Sequence, residues 1–250
     1  QQLAQASIAK DVSSEFVVTV YDYLWRPVAA LGDDVIKHSG TDPMNNVPSA
    51  TLEIKGESTL IPLFMGCRDT MVGVTFETGG LRLAYYCDTF DYECNEKGEW
   101  TGTANLLGIW DVLNYLQIWP DAKMPIQSQL FSYAIYIWAI VTVIENMIAE
   151  QALRIQTGMH EFFNNAFSGN PDIRAWFGTI LQSGVNIRQM LTTPIYVVRS
   201  DPFADSSMLI ARTVRMESCG TVIKDITKAY GVDVRVDLWL PGDDQPDQWV

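Results

Sequence analysis

Two histidines, 30 carboxylates and four cysteines are the side chains of this sequence that could do chemistry, and their spacing decides what they can do. His38 stands in the polar stretch KHSGTD and His160 in MHEFFNN, far apart and in different expected elements. A Ser-His-Asp triad needs a histidine beside its nucleophile, and the G-x-S-x-G elbow is absent. His38 is therefore expected to be exposed and His160 to pack or cap. Phosphate loops of the G-x-x-x-x-G-K-[ST] or G-x-G-x-x-G kind, H-E-x-x-H and the EF-hand loop are also missing. Paired carboxylates remain, the groups that glycoside hydrolysis places on either side of a substrate. The candidate pairs are Asp88 with Asp91, Glu93 with Glu99, and Asp243 with Asp244 and Asp247. In so acidic a chain, such neighbours are expected from composition alone, and those on hairpins read as a solvated strand face. No catalytic residue, cofactor or metal is called for.

The cysteines are Cys67, Cys87, Cys94 and Cys219, and none forms the C-x-x-C pair of a zinc ribbon or a thioredoxin-like site. Cys87 and Cys94 either face each other across a hairpin or remain two half-buried thiols; spacing leaves both open. The net charge of −13 repels nucleic acid, and the 17 basic residues form no cluster to overcome it. Gln1 to Lys10 lacks the apolar stretch of a secretory signal. The most apolar run, Ala134 to Ile144, is shorter than the ~20 residues a membrane span requires, so it reads as a buried helix. Eight tryptophans supply either core or interface anchors.

The elements that would carry these residues change character along the chain. Up to about residue 108 it reads as β-rich: FVVTVY at 16–21, then Leu52 and Ile54 alternating with Thr51, Glu53 and Lys55. Val72, Val74 and Phe76 lead into Gly79-Gly80 and out through Leu81, Leu83, Tyr85 and Cys87, a hairpin pattern. A second hairpin turns at Asn95-Glu96-Lys97-Gly98 and returns through Trp100, Gly102, Ala104 and Leu106. Such strands suggest a small barrel or sandwich. Residues 58–64 read as a short helix or loop. Helical spacing then predicts helices over 109–116, from Tyr133 to Gln156, after Asn170-Pro171, and from Cys219 to Tyr230 between a Ser218 cap and Gly231. The first half of the Tyr133 helix is apolar nearly all round, so it is expected to be buried or pressed against another chain. Val232, Val234, Val236 and Leu238 alternate as a late strand. The expected fold is α+β: an antiparallel β-barrel-type domain at 1–108, a mostly helical insertion at 109–231, and a return strand with an acidic loop at 232–250.

The final stretch VDLWLPGDDQPDQW, from Val236 to Trp249, resembles a segment of minor tail proteins from actinobacteria-infecting siphophages, which form the hub of the tail tip or baseplate. VYDYLWRPVAALGD, ATLEIKG, GIWDVLNYLQIWPD, LRIQTGMHEFFNNAFS with IRAWFGTIL, and TTPIYVVRSDPFAD fit the same family in the same order. The resemblance implies a virion component at the tail tip, built on hub-type β-barrel domains and forming a homotrimer around the tail axis. Its expected neighbours are the distal tail protein, the tape-measure protein and other tip proteins, with transient contact to the host envelope. It also implies a longer protein of which this chain is an N-terminal portion or fragment. It carries no catalytic residues to transfer. The expectation is thus a structural protein, with a tail-associated cell-wall hydrolase or a membrane-contacting tip protein as alternatives. The residues expected at a protein interface are Tyr133, Tyr136, Ile137, Trp138, Ile140, Trp239 and Trp249.

Overall fold

A computed structural model describes residues 16–122, 124–125, 129–157, 169 and 195–243. They form two compact units: the described part of Gln1–Asp111 with Val234–Asp243, and that of Val112–Asp233. The fold is mixed α+β, with a curled antiparallel half-barrel sheet of seven strands and a few helices.

The first unit is that sheet. Its strands are β1 (Val17–Tyr21), β2 (Pro27–Ala30), β3 (Val35–Thr41), β4 (Ser49–Lys55), β5 (Gly73–Thr78), β6 (Leu81–Cys94) and β7 (Trp100–Gly108), in the order β2-β1-β5-β6-β7-β4-β3. Period-two alternation does the sorting. Ala50, Leu52 and Ile54 of β4 are buried, as are Val18 and Val20 of β1, Val74 and Phe76 of β5, and Ala104 and Leu106 of β7. A short helix, α1 (Ile61–Met65), adds Ile61 and Phe64 to this core, with Phe64 stacked on Phe90 of β6 at 5.5 Å. Both expected hairpins form. Gly79 and Gly80 have φ of 53° and 79°, values that favour glycine, and the Asn95 side chain accepts from the Lys97 and Glu99 amides in the second turn. Curling brings Phe16, beside β1, onto His38 of the far-edge strand β3, ring on ring at 3.8 Å. His38 is exposed, as its polar surroundings suggested.

The stretch from Val232 to Leu238 corrects the sequence reading: it joins no sheet. Its side chains do alternate between half-buried and exposed. The backbone of Val234 is instead held by side chains. Its N–H donates to Asn45 Oδ1 at 2.7 Å, and its carbonyl accepts from Trp110 Nε1 at 3.3 Å. Alternation reports which face is covered, and here the side chains of Asn45 and Trp110 replace a neighbouring strand.

The second unit contains α2 (Val112–Tyr115), β8 (Ala134–Ala139), α3 (Ile140–Thr157), β9 (Leu209–Val214) and α4 (Cys219–Tyr230). Among the described residues of the insertion, Ala134–Ala139, expected to be helical, is instead a strand paired antiparallel with β9. The helix expected from Tyr133 begins only at Ile140. From there Ile140, Val143, Ile144, Met147, Ile148 and Ala152 are buried, whereas Ile155 is exposed. Helix α4 forms as its sequence dictates. Ser218 Oγ accepts from the Thr221 amide at 3.2 Å, and Gly231 takes the left-handed position at φ 67°. The segment before it is tied to the residues after α2: Ile118 N–H donates to Glu217 O at 2.8 Å, and Cys219 N–H to Leu116 O at 2.8 Å. The expected helix after Asn170-Pro171 lies outside the described residues.

Candidate functional site

The seven expected interface residues fall in different surroundings. On the second unit, Ile137 is 67% exposed and Trp138 44% exposed, with Trp138 Nε1 donating to Pro202 O at 3.1 Å. Tyr133 precedes β8 and is half exposed under the Arg215 guanidinium. Tyr136 and Ile140 are buried in the interior of the same unit. The Tyr136 hydroxyl donates to Glu150 Oε2 at 3.1 Å, and burial, with that carboxylate, pushes its pKa up. Trp239 is half exposed on the first unit, and Trp249 lies outside the described residues.

Strand parity explains the split between Ile137 and its neighbours. Along β8, Ala134 and Tyr136 point inward while Ile135 and Ile137 point outward; along β9, Ile210 and Val214 are buried while Leu209, Ala211 and Thr213 are exposed. Cross-strand partners on the outer face are Ile135 with Thr213 and Ile137 with Ala211. A solvent-facing antiparallel sheet usually carries polar side chains. This one carries Ile, Ile, Leu, Ala and Thr, with no charge among them. Read as a helix, the run leaves Ile135 unnoticed and groups Ile140 with Ile137 as interface residues. The period-two pattern of Leu209, Ala211 and Thr213 was the signal that could have located the face.

The WLPGD part of the terminal motif is a built turn in the first unit. Pro241-Gly242 reverses the chain, with Gly242 at φ 108°, and Asp243 Oδ2 accepts from the Leu240 amide at 2.8 Å. Arg82 of β6 clamps the same carboxylate at 2.6 Å and Glu77 at 2.9 Å. The Arg82 guanidinium, aided by the Leu240 amide, holds the Asp243 carboxyl below the usual range. Asp243 thus fixes the turn that follows the exposed Trp239.

The other carboxylates are similarly engaged or solvated. Glu99 accepts from Asn95 Nδ2 at 2.8 Å within its hairpin turn, and Glu93 is exposed on β6. Asp88 is exposed at an irregularity of β6, while Asp91 is approached by Asn105 Nδ2 at 3.4 Å. Among the described residues, no three His, Cys, Asp or Glu side chains gather where they could hold a metal ion. Cys87 and Cys94 lie on the one strand β6, opposite Leu106 and Trp100, so they do not face each other across a hairpin. All four cysteines are free thiols. Burial, then the neighbouring Cys67 thiol, pushes the Cys87 pKa upward. No described helix is long and apolar enough to cross a membrane.

No protein-family model matches the chain, and no curated protein sequence matches it.

Proposed function

We propose that this chain is a structural, non-enzymatic subunit of a phage virion, forming the hub of a siphophage tail tip. There it would connect the tail tube to tip proteins during host attachment and DNA delivery. Assembly as a homotrimer around the tail axis, beside the distal tail and tape-measure proteins, belongs to the same reading. The observation that carries it is the ordered set of stretches resembling minor tail proteins, ending in VDLWLPGDDQPDQW. The geometry supports it in two ways. The curled antiparallel sheet suits a barrel-type hub domain, and the uncharged outer face of β8 and β9 suits contact with another protein surface.

Cryo-electron microscopy of intact tails tests the proposal. Density for this chain ringing the axis at the tip is the expected result. Density in the capsid or along the tail tube overturns it. A cleared zone in zymography on host peptidoglycan would separately overturn the non-enzymatic part.

A further inference from the structure

We propose that the outer face of the β8–β9 sheet is a self-association surface, on which a second copy of the chain seats by two-fold symmetry. The inference rests on how this face is composed, rung by rung. Ile135 and Ile137 of β8 are 58% and 67% exposed, and Leu209 of β9 is 76% exposed. Opposite the two isoleucines stand small residues, Thr213 across from Ile135 and Ala211 across from Ile137. A ridge of isoleucine therefore runs along one strand and a shallow groove along the other.

Such a face is complementary to itself. A two-fold axis parallel to the strands, midway between two stacked sheets, lays β8 of each copy over β9 of the other. Ile135 then sits over Thr213 and Ile137 over Ala211 of the second copy, so large side chains enter small gaps at both rungs. Stacked sheets interdigitate in this way about 10 Å apart. Ala139, the partner of Leu209 on the third rung, is already covered within its own chain, which leaves Leu209 at the rim.

Magnitude favours an interface over scattered exposure. The five side chains present on the order of 500 Å² of mostly apolar surface, at the upper end for a functional patch on a monomer. A standard interface buries about 800 Å² per partner around an apolar centre, so this face supplies most of what a homo-oligomer needs. A lipid surface fits less well. No basic side chain stands on the face, and a chain of net charge −13 is repelled by anionic lipids. The pairing is isologous, hence distinct from a ring of three, and it stands whether or not the protein belongs to a phage tail.

Sedimentation equilibrium of the purified 250-residue chain across a concentration series tests it, with Ile137→Asp as the disrupting variant. The conservative double variant Ile135→Thr with Ile137→Thr keeps β-branched side chains and serves if the charged variant does not fold by circular dichroism. An even-numbered assembly is expected, a dimer or two rings of three. The variants should halve its mass or raise its dissociation constant at least about tenfold. A monomer at every concentration, an odd-numbered assembly, or a mass that the folded variants leave unchanged overturns the proposal.

Discussion

Asp205 and Thr142, 63 positions apart, are joined by two hydrogen bonds to one carboxylate oxygen: the Thr142 amide at 3.0 Å and its hydroxyl at 2.7 Å. The neighbouring amides at the start of α3 are satisfied from the same segment. Ile140 N–H donates to Met208 O at 3.0 Å and Val141 N–H to Ser207 Oγ at 3.3 Å. A helix leaves its first amides without internal partners, and here a distant loop supplies them. Asp205→Ala should cost about 1 kcal/mol, the usual value of a lost helix cap. Asp205→Asn, which keeps an acceptor oxygen, should cost less. Thermal denaturation measures both, and hydrogen exchange should accelerate at 140–142 first. Unchanged exchange there would show that Asp205 does not hold the helix start.

That contact also explains where the sequence misled. A local cap announces a helix to the reader, as Ser218 and Gly231 do for α4. Nothing local announces the start of α3, because its caps come from Asp205 to Met208, and Ala134–Ala139 therefore ran into the helical pattern. The choice between strand and helix for this apolar run was made by pairing with β9, a tertiary partner that periodicity does not show. The hairpins at Gly79-Gly80 and Asn95–Gly98 were legible because turn chemistry and alternation sit together in the sequence. The outer face of β8 was half legible, through the apolarity of the run rather than through its alternation. Ile137 stood out, but Ile140 belongs to the core once the helix begins there.

The acid limb of stability follows from the same carboxylate. Burial disfavours the charged form of Asp205, but hydrogen bonds from Ser207 and Thr142 outweigh it and bring its pKa down to about 2. Its ordinary unfolded value is about 3.9. A folded-state pKa below the unfolded one gives stability that is fully present above about pH 4 and is lost as pH falls toward 2. Asp243, lowered by Arg82 and the Leu240 amide, acts in the same direction. The melting temperature should therefore fall between pH 4 and 2, and the fall should be shallower in Asp205→Asn. An identical slope in the variant would assign the acid limb to other groups.

Arg82 and Asp243 should be coupled energetically across the chain. Their ion pair at 2.6 Å fixes the Pro241-Gly242 turn to β6, and both side chains are only partly exposed. A double-mutant cycle with Arg82→Met and Asp243→Asn should return about 1 kcal/mol, at the upper end for a surface pair because the geometry is close. Raising the salt concentration should reduce it. A coupling of zero would mean that the Leu240 amide alone holds the turn.

Gly56 should resist even a single methyl group. Its amide donates to Trp100 O at 2.9 Å, and a Cβ there would lie 2.5 Å from that carbonyl oxygen and 2.6 Å from the carbonyl carbon. Both are backbone atoms, so rotamer changes cannot relieve the clash. Gly56→Ala should destabilise the protein by about 1 to 3 kcal/mol, the usual cost of overpacking. Chemical denaturation checks it; a neutral result would show that the β4 and β7 ends separate freely.

Thiol chemistry should discriminate sharply among the four cysteines. Cys94 is exposed at the end of β6, while Cys67, Cys87 and Cys219 are buried. The thiolate is the reactive form, so a thiol that is both buried and hard to ionise is doubly protected. Burial pushes the Cys219 pKa up to about 12 and that of Cys87 upward as well. Titration with an aromatic disulfide reagent at neutral pH should therefore give one fast equivalent in the folded protein and four after denaturation. Cys94→Ser should remove the fast equivalent and leave the melting temperature nearly unchanged. A fast equivalent that persists in that variant would place another thiol at the surface, and peptide mapping would name it.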